Sequence, residues 1–278
     1  MIEYKVKDHE PSFLPEGYDW KMVWNDEFDG TELDETKWDY RLHMMGKRHI
    51  TWQKEGISFD GKSNIIFKIF EKDGEICSTQ LQTGANFADA PTSSSMIANR
   101  FIWPVGKLKE PNFLHCYGYY ECRCKLQKMP GWWSAFWLQS PVQGTTLNPE
   151  ISGIENDIME SFEPGKIIKH INHYNGCGAD YKYVEHGNGM DISLDEYHRF
   201  GMLWTEEGYT FYVDGKEDGH SLAPVSKIPQ FILLSTEVNG YRRDEYTATD
   251  EAKAAARAGD EFIVDYVRVF DIVKPQVK

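Results

Sequence analysis

The chain has 278 residues, 41% of them hydrophobic, which is ample for a sizeable core and excludes global disorder. Its 44 acidic and 30 basic residues leave a net charge of −14, which argues against a nucleic-acid backbone or an anionic membrane as partner and leaves a neutral ligand open. Aromatic residues make up 14% of the chain, which suits either a large sheet core or stacking against a ligand.

The first ten residues, MIEYKVKDHE, hold no apolar signal-peptide core. No apolar run of about 18 residues occurs, so no membrane span is expected. The chain is then expected to be cytoplasmic as it stands, or secreted or cell-surface where a leader has been removed. Cys77, Cys116, Cys122, Cys124 and Cys177 are odd in number and lack the spacing of a zinc site, so reduced thiols in the core are expected.

In chain order, short β-branched or aromatic stretches alternate with Gly, Pro, Asn and Asp turns, and the chain reads as all-β. Strands are predicted at residues 64–70 (NIIFKIF), 119–126 (YYECRCKL) and 133–138 (WSAFWL). Others follow at 209–213 before the turn pair Asp214 and Gly215, at 231–235 and at 262–270 (FIVDYVRVF). In YYECRCKL, period-two alternation sends Tyr120, Cys122, Cys124 and Leu126 to one face and Glu121, Arg123 and Lys125 to the other. The one clear helix is Asp250–Ala258, capped by Thr249 and stopped by Gly259. It lies in an insertion over 241–259, which either lines a cleft or is a solvated loop. With no linker and no repeat, a single domain over 1–278 is expected, a two-sheet sandwich large enough to curve.

The strongest chemical signal is residues 154–162, IENDIMESF. Strict alternation places Glu155 and Asp157 on one face and Glu160 on the other. One inserted residue, a β-bulge near Ile158 or Met159, would return Glu160 to the face of its partners, and bulges recur next to active sites. Crowding like charges raises the pKa of each, a cost expected where a protonation difference is useful; the alternative is an edge strand with solvated acids. Two carboxyl groups about 5–5.5 Å apart suit glycosidic cleavage with retention, one attacking and the other donating a proton. Glu155 and Glu160 are the outer pair, with Asp157 placed to orient the nucleophile. Upstream, Trp133, Ala135 and Trp137 share one strand face and Trp132, Ser134, Phe136 and Leu138 the other, so one set can pack a core while the second forms an apolar platform for sugar rings.

Glu155, Asp157 and Glu160 form an E-x-D-x-x-E motif. Around it stand WNDEFDG (24–30), YGYYECRCKL (117–126), WSAFWL (133–138), HYNG (173–176), FGMLWTEEGYTFYVDG (200–215) and VDYVRVF (264–270). This ordered set resembles glycoside hydrolase family 16, the retaining endo-β-glycanases that include laminarinases, lichenases, agarases and porphyranases. The resemblance implies a concanavalin A-like β-jelly roll of two curved antiparallel sheets with an open concave cleft. It implies Glu155 as nucleophile, Glu160 as acid/base and Asp157 as their helper. It also implies Trp133 and Trp137 at subsites on the non-reducing side of the cut, and His173 beside the acid/base. Departures from the family's pattern are Ser134 in place of proline, Tyr119 in place of arginine and Asn156 in place of an aliphatic residue.

No cofactor is required by this mechanism, but the resemblance implies a structural calcium ion near Glu27 and Asp265. Trp52, Trp103, His49, His115, His170 and Asn172 are further residues that could line the cleft or simply pack, and Glu237 and Asn239 rank above them. The expected partner is a polysaccharide or oligosaccharide, bound by a monomer with no nucleic acid and no membrane involved. The expected reaction is endo-hydrolysis of a β-1,3- or mixed-linkage glucan. Alternatives are an agarose- or porphyran-cutting galactanase, for which Arg242 and Arg243 would supply a local basic patch, a non-catalytic carbohydrate-binding module or lectin, and a transglycosylase.

Overall fold

The computed structural model describes residues 1–90, 101–167, 170–176, 178–240 and 247–275. Cys177, Arg242 and Arg243 lie outside these residues. Two antiparallel sheets dominate. The first has seven strands in the order Lys182–His186, His170–Tyr174, Glu155–Ser161, Trp132–Gln139, Phe231–Val238, Gln80–Gln82 and Asp39–Tyr40. The second has eight: Lys216–Ser221, Gly208–Val213, His198–Thr205, Gly118–Lys125, Glu261–Pro275, Ile65–Lys68 and Ile57–Phe59 in line, with Tyr18–Asp26 also paired to Glu261–Pro275.

Alternation explains how the sheets meet. Trp132, Phe136 and Leu138 of the first sheet pack in one buried cluster with Tyr120, Cys122, Cys124, Phe200, Met202 and Trp204 of the second. Each such side chain removed from water contributes about 1.5–3 kcal/mol. Cys77, Cys116, Cys122 and Cys124 are all free thiols, as expected, and the first, third and fourth are buried. The turn after Gly208–Val213 is a two-residue hairpin with Asp214 at φ 49° and Gly215 at φ 74°, the left-handed conformation that such a connection requires.

One strand face departs from expectation. Glu121 was predicted on a polar outer face, yet it is fully buried, accepting hydrogen bonds from the Tyr266 hydroxyl (2.7 Å) and the Phe13 amide (3.0 Å). The N-terminal segment containing Ser12–Leu14 supplies that amide, so the face is covered by chain more than a hundred residues distant in sequence. Burial raises the Glu121 carboxyl above the ordinary carboxylate range against the lowering effect of these bonds.

The helix forms as predicted over Asp250–Ala258, with the Thr249 side chain accepting from the Ala252 amide and Gly259 in the left-handed region at φ 69°. Ala252 and Ala255 are buried in the main core. Gly131, immediately before the tryptophan-bearing strand, sits so close to the helix that a Cβ there would meet the Ala252 nitrogen at 2.2 Å. The described part of the insertion is therefore docked beside the start of that strand rather than a solvated loop.

Candidate active site

The acidic strand Glu155–Ser161 pairs with Trp132–Gln139, and the register shifts between Phe136 and Trp137. Asp157 faces Trp137, Glu160 faces Ala135, and Ile158 is the extra residue. This is the bulge expected from the spacing, and it brings Glu155, Asp157 and Glu160 onto the outer face of the seven-stranded sheet with Trp133, Ala135 and Trp137. A carboxylate oxygen of Glu155, one of Asp157 and an imidazole nitrogen of His173 lie within 4.8 Å of one another.

The bulge is supported from below. On the neighbouring strand His170 follows the same register past Ile171, which faces Asp157, and its Nδ1 lies 2.7 Å from the Ile158 carbonyl that the ladder leaves over. Its other nitrogen lies 3.3 Å from Asp218 of the second sheet, and its ring stacks on Phe211. Burial holds the His170 imidazole below its ordinary pKa, outweighing the Ile158 carbonyl and Asp218, which favour the charged form. His186, the cross-strand partner of His170, is lowered as well, by burial first and then by His170 and His220. The folded state thus resists protons that the unfolded chain accepts near pH ~6.5, so stability falls as pH drops below that value towards the lowered pKa. His170→Gln should flatten this acid-side loss: between about pH 7.5 and about pH 5 its Tm should fall less than that of the wild type. Equal falls in calorimetry would show that His170 is not responsible.

Asn156 and Ser134 are accounted for on the core side of the same strands. Asn156 donates to the Gln230 side chain (2.6 Å) and accepts from Asn172 (2.7 Å), whose own carbonyl accepts from Ser221. A fully satisfied buried amide row thus stands where an aliphatic side chain would otherwise pack. Ser134 donates to Gln127, which in turn donates to the Ser161 carbonyl at 2.8 Å and so ties the end of the acidic strand. Asn172 and His170 belong to this inner layer, not to the outer face.

On the outer face, the Gln139 side chain donates to Glu155 at 2.9 Å and is itself bonded by Asn86, while Gln143 lies 3.5 Å from the same Glu155 oxygen. His173 faces Glu155 in the register and places Nε2 3.0 Å from Asp157. Glu237 is opposite Trp133 and accepts from Gln80 at 3.3 Å. Gln139 was open to detection, because it continues the alternation of Trp133, Ala135 and Trp137.

The tryptophans lie on the expected face but present little open ring. Trp137 is 7% exposed, donates to the Ser235 hydroxyl at 2.9 Å, and has the Arg41 guanidinium 5.1 Å from its centre. Trp133 packs against Phe162 at 4.6 Å. Trp52 differs more: it is buried, with His49 stacked at 4.2 Å and Arg41 at 4.8 Å, so the ring holds Arg41 in place and does not line an open surface. Arg41, bonded to Asp89 (2.7 Å) and Gln80 (2.9 Å), has no local signal in sequence, because each partner is some forty or more residues away. Trp103 is 59% exposed, next to Ile102, whose amide bonds the Gly144 carbonyl. The Asn239 backbone bonds Gly131 and Thr249, beside the helix Asp250–Ala258. His115 is bonded to Asp271 of the second sheet at 2.7 Å, away from the acidic strand.

The expected calcium pair is committed to arginines. Arg268, fully buried, grips both Glu27 oxygens at 2.9 and 2.7 Å, and Arg123 bonds Asp265 at 2.5 Å. Burial lifts the Asp265 carboxyl above the ordinary range despite Arg123 and Arg268. A donor set already neutralised by two guanidinium groups does not fit a divalent cation, which needs anionic oxygens open to it.

Two packed antiparallel sheets, with a bulged row of carboxylates on the outer face of one, make up a β-jelly roll. The chain belongs to Glycosyl hydrolases family 16, whose profile matches residues 47–257. It is 29% identical to glucan endo-1,3-beta-glucosidase A1 of Niallia circulans over 209 residues, covering 70% of this chain and 28% of that protein. It is also 29% identical to endo-1,3-1,4-beta-glycanase EglC of Rhizobium meliloti over 162 residues, 58% of this chain and 32% of the relative. The chain thus spans about a third or less of these two curated relatives. Among solved structures, the laminarinase from Rhodothermus marinus superposes with a TM-score of 0.63 at 21% identity, covering 92% of this chain and 99% of that one. That likeness establishes the curved two-sheet fold.

Proposed function

We propose that the chain is a retaining endo-β-glycosidase that hydrolyses internal linkages of a β-1,3- or mixed-linkage glucan. The observation that carries this is the bulge at Ile158, which sets Glu155, Asp157 and Glu160 on one face beside the tryptophan strand. The family and the printed activities of the Niallia circulans and Rhizobium meliloti relatives support the substrate class. The net charge of −14 favours a neutral polymer over a sulfated one or a nucleic acid.

In this reading Glu155 attacks the anomeric carbon while Glu160 gives its proton to the departing oxygen, forming a covalent glycosyl-enzyme. Glu160 then removes a proton from water, which attacks the same carbon and restores free Glu155. The amide of Gln139 orients the Glu155 carboxylate, and Asp157, bonded to His173, spreads negative charge between the two glutamates so that Glu160 keeps its proton. The two-carboxylate mechanism itself requires no metal.

Reducing-end release should be measured on laminarin, lichenan, agarose, porphyran, carrageenan and xyloglucan, with Glu155→Gln as the blank. Release from laminarin or lichenan, lost by about 10³-fold or more in the variant, is expected. Release from agarose or porphyran alone would replace the glucan by a galactan, and silence on all six would overturn the hydrolase. Products longer than the oligosaccharide supplied would mark a transglycosylase.

A further inference from the structure

Beyond the acidic strand, on the side away from the tryptophans, lie His170–Tyr174 and then Lys182–His186, which closes the sheet. His173 faces Tyr183 across this last pairing. The His173 and Tyr181 rings stand 5.6 Å apart at 18°, Tyr181 and Tyr183 6.2 Å apart at 29°, and His173 and Tyr183 6.1 Å apart at 41°, so the three form a triangular aromatic cluster. His173 ties the cluster to the acidic strand: its Nε2 is 3.0 Å from Asp157, and its Nδ1 is hydrogen-bonded to the Tyr181 hydroxyl. The two tyrosines face solvent, Tyr181 42% and Tyr183 56% exposed.

Resting on the hydrolase reading above, we infer that Tyr181 and Tyr183 form the binding subsite for the sugar units on the leaving-group side of the cut. A polymer that crosses the strands with one arm over the tryptophan strand must lay its other arm over these two strands. The occupant is a neutral pyranose chain. Its C–H faces match exposed phenol rings, its hydroxyls match the tyrosine oxygens, and the flanking carboxylates of Asp157 and Glu185, the latter opposite Ile171 in the register, repel sulfate or carboxylate substituents. The cluster also couples binding to chemistry. A sugar seated on Tyr181 holds the hydroxyl that orients His173, and His173 in turn orients Asp157 between the two glutamates.

The test compares two substrates of the full chain: laminarihexaose, which places sugars on both sides of the cut, and β-laminaribiosyl fluoride, whose leaving group is one atom and occupies no sugar subsite. Tyr183→Ala should lower kcat/KM on the hexaose about 10-fold, mainly through KM, and leave the fluoride within about twofold. Tyr181→Phe, which keeps the ring and drops the hydroxyl, should hold the hexaose KM within about twofold and lower kcat. Equal falls of Tyr183→Ala on both substrates, or no fall on either, would overturn the subsite. A wild type inert on both substrates would overturn the glucan hydrolase reading and the subsite with it, a result distinct from an active wild type whose variants are unchanged. Melting curves check that both variants, altered at exposed positions, retain the fold.

Discussion

Glu160→Ala should slow hydrolysis of laminarin or lichenan by about 10²–10⁴-fold, the range spanned by a positioned general acid, while barely slowing release of dinitrophenolate from an activated aryl β-glycoside. The difference follows from the roles assigned to the two glutamates. A sugar oxygen leaves poorly without a proton, so loss of the acid raises the barrier to the first step for a natural polymer. Dinitrophenolate leaves as a stable anion and needs no proton, so Glu155 can still attack and the glycosyl-enzyme still forms. Its hydrolysis then stalls, because the same Glu160 was to activate the water. The expected trace is a burst of dinitrophenolate equal to the enzyme present, followed by slow turnover. Added azide, an anion that attacks without base assistance, should restore turnover and appear in the product as a β-glycosyl azide. Glu155→Gln should give neither burst nor rescue of this kind. Equal slowing of polymer and aryl glycoside by Glu160→Ala would remove Glu160 from the acid/base role, wherever the bulge places it.

That role depends on a single residue of backbone. With Ile158 kept in strict alternation instead of bulging, Met159 would turn outward and Glu160 would point into the core opposite Ser134, where an ionised carboxylate is very costly. This is why the bulge was legible in sequence: only with it do three acids in an apolar strand share a solvent-facing side. The two faces of the tryptophan strand were legible for the same reason, since period two leaves no other way to sort Trp132 from Trp133. Tyr181 and Tyr183 carry the same alternation, but nothing nearby in sequence tied them to the acids; only the pairing of their strand with His173 does so. What sequence did not show depends on partners far along the chain. Arg41 reaches Asp89 and so covers the Trp52 ring, which on sequence could line the cleft or pack, and Phe13 reaches Glu121 and buries a face expected to be polar. Local pattern reports which face a side chain takes, not what a remote loop lays over it.

The arginines beside the residues expected to hold calcium are also remote partners of this kind, and they predict a large effect. Glu27 and Asp265 occupy the expected segments, but Arg268 and Arg123, neither of them adjacent to Glu27 in sequence, arrive first. Arg268 donates to both Glu27 oxygens, to the Glu10 carbonyl at 2.8 Å and to the Ser12 hydroxyl at 2.9 Å, and its guanidinium lies 3.5 Å from the centre of the Tyr266 ring. Arg268→Met would leave Glu27, itself 7% exposed, with its charge uncompensated, a loss of about 3–5 kcal/mol. For a chain of this size that corresponds to a fall in Tm of roughly 6–15 °C. Glu27→Gln combined with Arg268→Met should recover much of the loss, because removing both charges also removes the desolvation cost that made the single change severe. The same reasoning sets the response to metal. Chelation with EDTA should leave the wild-type Tm unchanged, whereas added calcium should raise the Tm of Arg268→Met, in which the Glu27 carboxylate is released for a hard cation. A wild-type Tm that falls by several degrees in EDTA and returns with calcium would show instead that the ion and the arginines coexist, and the arginine network would then lose its place as the substitute for the metal.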